Sequence, residues 1–73
     1  MPVITKADLE NWFTYHSPTA DQLPKYQAIR EAGLAFATVI VENTPSSADQ
    51  TAAIRKIREA VMTANQSIAC GGH

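Results

Sequence analysis

The chain has 73 residues, one cysteine, two histidines and a formal net charge of −1 with acids and bases interspersed. That length allows one small domain, with a core too thin for comfortable stability unless a disulfide, a metal or a partner subunit supplements it. Cys70 alone forms no internal disulfide, and His16 and His73 stand far apart with no ligand-spaced companion, so oligomerisation is the expected stabiliser and a reducing cytosol the expected compartment.

The opening Met1-Pro2-Val3-Ile4-Thr5-Lys6 has neither a basic region followed by an apolar run nor a membrane-length segment, so neither export nor a membrane partner is expected. Thr5-Lys6-Ala7-Asp8 then reads as the cap of a short helix reaching about Phe13, with Leu9, Trp12 and Phe13 as its packing anchors. Residues 1–16 form this helix and the segment that follows it, and 17–73 a helical hairpin within one domain overall.

The first long segment starts near Thr19 or Asp21, and Thr19-Ala20-Asp21-Gln22 has capping-box spacing. Pro24 favours the later start, because proline is tolerated in a first helical turn and disruptive beyond it. Tyr26, Ile29, Gly33, Phe36 and Ile40 recur at steps of three and four, which predicts a helix to about Glu42, with Leu34, Ala37 and Val41 widening the stripe. Gly33 weakens that helix by about 1 kcal/mol relative to alanine, and in return permits close approach of a neighbouring backbone or ligand.

Ser46-Ser47-Ala48-Asp49-Gln50 opens the second segment, with Ser47 and Gln50 spaced as a capping box. Ile54, Ile57, Val61, Ala64 and Ile68 follow the same rhythm until Gly71-Gly72. The short intervening loop requires two antiparallel helices. The fold class is therefore all-α: an antiparallel two-helix hairpin with a short N-terminal helix. Leu34, Val39, Val41 and Met62 exceed what two helices cover, so sister copies must cover them in a helical homo-oligomer.

The glutamates Glu10, Glu31, Glu42 and Glu59 are too scattered to hold a magnesium ion, no glycine-rich phosphate loop precedes a helix, and Cys70 lacks a neighbouring base. Neither an enzyme nor a cofactor is expected, and Cys70 reads as a bystander at a fraying helix end. Phe13-Thr14-Tyr15-His16-Ser17-Pro18 joins aromatics, an imidazole and hydroxyls before a helix start. Such a group stacks bases and binds phosphate, but spacing alone favours packing anchors and a linker histidine. Arg55, Lys56 and Arg58 are the one basic cluster; they either clamp phosphate or form a solvated face paired with acids such as Glu59. Lys25 and Arg30 lie on the first long helix, Arg30 as a pocket-edge cation or a snorkelling surface residue. Asn65 is either a register-fixing polar residue or a reader of a ligand's edge.

Phe13 to Pro18, then Gln22, Lys25-Tyr26, Ile29-Arg30, Pro45-Ser46-Ser47 and Ala60-Val61-Met62-Thr63-Ala64-Asn65-Gln66-Ser67-Ile68-Ala69 together resemble the helical-hairpin domain of phage anti-CBASS and anti-Thoeris sponge proteins. The likeness runs from about Asn11 to Cys70; the family pattern has a Trp where Thr63 stands and often an Arg where Cys70 stands. The resemblance implies a protein that is not an enzyme and that sequesters, unchanged, the cyclic nucleotide messengers of bacterial immunity, whether cyclic oligonucleotides or cyclic ADP-ribose isomers. It further implies homo-oligomers, typically hexamers, with pockets between subunits, while the slightly acidic charge balance argues against a nucleic-acid polymer as partner. It favours ligand roles for Tyr15, His16 and at least one of Arg30, Arg55 and Arg58. The candidate ligand-binding set is Phe13, Tyr15, His16, Lys25, Arg30, Arg55, Arg58 and Asn65.

Overall fold

The computed structural model describes residues 3–72, which leaves the expectations about the first two residues and His73 outside it. Three helices follow in order, α1 (Lys6–Phe13), α2 (Leu23–Asn43) and α3 (Ala48–Ala69), with no strand among the described residues. α1 begins with a complete capping box: the Asp8 N–H donates to the Thr5 hydroxyl at 3.1 Å and the Thr5 N–H to the Asp8 carboxylate at 3.0 Å.

The start of α2 differs from expectation. Neither Thr19 nor Asp21 caps it; Gln22 takes the N-cap position with no side-chain cap bond, and Pro24 lies in the first turn. Thr19 to Gln22 instead closes a preceding turn, in which the Thr19 carbonyl accepts from Gln22 and Leu23, and the Gln22 side-chain carbonyl accepts the Thr19 N–H at 3.0 Å. The other end of that side chain donates to the Ile68 carbonyl at 3.3 Å, tying the start of α2 to the end of α3.

Ser47 caps α3 as expected, accepting the Gln50 N–H at 3.1 Å. Gln50 does not reach back to Ser47, however. Its amide donates to the Thr44 carbonyl at 3.2 Å and the Thr44 hydroxyl at 3.1 Å, stitching the loop to the end of α2. Gly71 and Gly72 have φ of 67° and 83°. Their N–H groups donate to the Ile68 and Ser67 carbonyls, the two bonds of a Schellman motif, so the end of α3 is tightly closed rather than frayed.

α2 and α3 pack antiparallel along a seam whose half-buried residues are Tyr26, Ile29, Gly33, Ala37 and Ile40 on one side and Ile54, Ile57, Val61, Ala64 and Ile68 on the other. Ala37 occupies the place expected for Phe36, which is 57% exposed. A side chain is too large for the crossing at Gly33, where an added Cβ would lie 2.7 Å from Val61 Cγ2. α1 docks on the open end of its own hairpin, opposite the 44–47 loop, at Gln66 and Cys70. Trp12 is half-buried there, while Phe13 points away, 85% exposed, so it is no packing anchor, and Leu9 is half-exposed.

The resulting interior is thin. Among the described residues Cys70 is the one buried hydrophobic residue, whereas Leu34, Phe36, Val39, Val41 and Met62 are all exposed. The Cα radius of gyration is 15.4 Å, against about 11 Å for a globular chain of this length. Accessible surface totals 5906 Å², roughly 1,500 Å² more than expected for a folded monomer of this size.

Candidate functional site

The turn at Ser17-Pro18-Thr19 brings the aromatic segment back along the first turns of α2. There Tyr15, His16, Pro18, Leu23, Tyr26, Gln27 and Arg30 enclose a groove of about 560 Å³. Tyr26 and Arg30 sit one helical turn apart, which projects both from the same side of α2. No carboxylate lines this groove. Tyr15 is well exposed, leaving its ring face free to stack on a planar ligand.

His16 is held from behind. Its Nε2 lies 2.7 Å from the Asn11 main-chain oxygen in the last turn of α1. A carbonyl oxygen only accepts, so Nε2 carries the proton and Nδ1 is the ring nitrogen left for a ligand.

Two further grooves flank the α2–α3 seam, both touching Gly33, Ile57 and Val61. One, of about 390 Å³, is bounded by Arg30 from α2 and Arg58 from α3, with Leu34, Ala37, Ile54 and Met62 between them. Arg30 thus stands on the rim shared by this groove and the aromatic one. The other, of about 550 Å³, is apolar save for Lys56 and holds Ile29, Phe36, Ile40, Ala60 and Ala64.

Among the described residues the one ion pair is Lys6–Glu10 at 3.9 Å. Arg55 and Arg58 therefore form no pair with Glu59, contrary to the surface-pair reading, and Arg30 is equally without a carboxylate. A guanidinium facing a groove with no anion of its own is a ready phosphate partner. Asn65 is half-buried two turns beyond Arg58 on the same side of α3, and its Oδ1 is shielded with no hydrogen-bond partner. An acceptor left in that state costs about 1–3 kcal/mol until a donor reaches it.

Of the eight residues singled out from sequence, the fold gathers Tyr15, His16 and Arg30 in one groove and adds Arg58 through the shared rim. Phe13, Lys25 and Arg55 lie on exposed surface outside these grooves. By sequence Tyr26 belongs to the helical seam, Pro18 only closes the aromatic segment, and Leu23 and Gln27 belong to no site. The signal that finds them is the Tyr26/Arg30 one-turn spacing directly after the Tyr15-His16 segment.

No group of three or more His, Cys, Asp or Glu side chains lies together among the described residues, and no helix there is long and apolar enough to cross a membrane. A family model described as Acb2/Tad1, hairpin domain, matches residues 5–69. No curated protein and no solved structure matches the chain.

Proposed function

The chain belongs to the Acb2/Tad1 hairpin family, the anti-CBASS and anti-Thoeris sponges, and from that premise we propose that it binds a cyclic nucleotide immune messenger and withholds it, chemically unchanged, from its receptor. The observation that carries this reading is the groove of Tyr15, His16, Tyr26 and Arg30. It pairs flat side chains for a base with a cation for a phosphodiester and an imidazole whose free Nδ1 accepts from a ribose hydroxyl or a base amino group, and no carboxylate opposes the ligand's charge. Arg58, across the seam from the same Arg30, supplies a second cation for a ligand with more than one phosphate.

Copies of the chain complete the site in this proposal. The excess surface of roughly 1,500 Å² amounts to about two standard subunit faces of some 800 Å² each. A protomer with two neighbours is the unit of a closed ring or bundle, and six copies is the number the family resemblance implies. The apolar groove of Phe36, Ile40 and Ala60 serves as such a face. Burial there dries the neighbouring Arg30–Arg58 groove and strengthens its hold on phosphate. The site of action is the host cytosol, where such messengers are made.

The test is recovery and thermal shift. Protein incubated with a panel of cyclic dinucleotides, cyclic trinucleotides and cyclic ADP-ribose isomers, then denatured, should return the bound compound intact. At one hundred times the dissociation constant the ligand should stabilise the protein by about 2.7 kcal/mol. A linearised product rejects the sponge reading. A panel with no thermal shift favours a hairpin that pairs with another protein through its apolar face.

A further inference from the structure

The most buried of the described residues is not in the seam between the long helices but at the end of α3. Cys70 is 5% exposed, and it is the centre of a set of bonds that spans nearly the whole sequence. Gln66 Nε2 donates to the Trp12 carbonyl at 3.2 Å and lies 3.0 Å from Cys70 Sγ. The thiol in turn directs its proton to the Asn11 carbonyl at 3.7 Å, and the Asn11 side-chain amide donates to the Cys70 carbonyl at 3.3 Å. The Asn11 carbonyl is the same oxygen that accepts from His16 Nε2.

We infer that Asn11, Gln66 and Cys70 are positioning residues for His16: they lock the last turn of α1 against the end of α3, and that turn presents the carbonyl that sets the orientation and tautomer of the imidazole. With Nε2–H engaged, Nδ1 is the nitrogen offered to the aromatic groove. The thiol suits this place because a sulfur both accepts weakly from the Gln66 amide and donates weakly to the Asn11 carbonyl, while filling an apolar site. Removing it leaves the Gln66 amide and the Asn11 carbonyl each one partner short, and the α1 turn is free to move. The effect on ligand uptake rests on the cyclic-nucleotide reading above; the effect on the ring does not.

The experiment therefore reads the ring and the ligand separately. In the wild-type chain, nitrogen-15 NMR of the side chains should show a His16 Nε2–H correlation protected from exchange with water, assigned by its absence in His16→Gln. Cys70→Ala and Gln66→Leu should each lose that protection, and Cys70→Ser, which keeps both a donor and an acceptor, should retain it. With 3′,3′-cyclic di-AMP as probe, the two disrupting variants should bind about tenfold more weakly, the upper end of what one neutral hydrogen bond contributes. A protected His16 Nε2–H in both Cys70→Ala and Gln66→Leu overturns the inference. Loss of protection in those variants, in a wild-type chain that takes up no cyclic nucleotide from the panel, upholds the positioning role and rejects the sponge reading instead.

Discussion

Replacing Gly33 by alanine sets two known effects against each other at one atom. Alanine in a helix interior is worth about 1 kcal/mol over glycine, so at an open site the change stabilises. Here the new Cβ would sit 2.7 Å from Val61 Cγ2, about 1 Å inside an ordinary carbon–carbon contact. Val61 cannot swing its methyl aside, because a β-branched side chain in a helix is held in essentially one rotamer. The helices must part, at an overpacking cost of about 1–3 kcal/mol. The net expectation is a loss of about 1 kcal/mol, or 4–8 °C in Tm for a chain of this size, measured by thermal unfolding at fixed protomer concentration. Val61→Ala removes the clash, so Gly33→Ala in that background should stabilise, giving a coupling of at least about 1 kcal/mol in a double-mutant cycle. A Gly33→Ala chain that melts higher than wild type, with no coupling to position 61, would refute the close crossing and the placement of both seam grooves that depends on it.

Tyr15→Ala should weaken cyclic nucleotide binding by about 1–3 kcal/mol, the range for one base stacked on an aromatic ring, with Tm in the absence of ligand unchanged; isothermal titration alongside thermal melts checks both. Arg58→Ala should reduce affinity for a ligand with two or more phosphates and leave the unfolding free energy without ligand within about 0.5 kcal/mol of wild type, as for other surface substitutions; a large loss of stability would mean that Arg58 holds the fold instead. Ser47→Ala removes the acceptor for the Gln50 N–H and should cost about 1 kcal/mol, seen as an earlier urea midpoint with unaltered slope.

The parts of the molecule legible in sequence are those set by neighbours within a turn or two. Thr5 with Asp8 and Ser47 with Gln50 are local spacings, and both cap their helices. Gly71-Gly72 stops α3 because two residues with positive φ close its last carbonyls. The three-four rhythm locates the seam but not its rotation: a shift of one residue, Ala37 for Phe36, decides which side chain faces α3 and which faces outward. That choice was made at Gly33, where contact with Val61 sets how α2 is turned.

What was not legible depends on partners far apart in the chain. Cys70 at the end of a glycine-terminated helix reads as a bystander, and only the docking of Asn11, 59 positions away, makes it the most buried of the described residues. Gln22 and Gln50 were read as capping residues, yet both side chains also reach across the hairpin ends, to Ile68 and Thr44. Tyr26 belongs both to the seam and to the aromatic groove, a double role that helical periodicity alone does not reveal.

Native mass spectrometry of the chain mixed with the cyclic nucleotide panel tests the central claim most directly, since it reports subunit number and ligand count in one spectrum. The expected species is a homo-oligomer, six copies by family resemblance, that retains intact cyclic nucleotide in whole-number ratio to its subunits. A free, folded protomer at micromolar concentration, carrying no ligand, would contradict it.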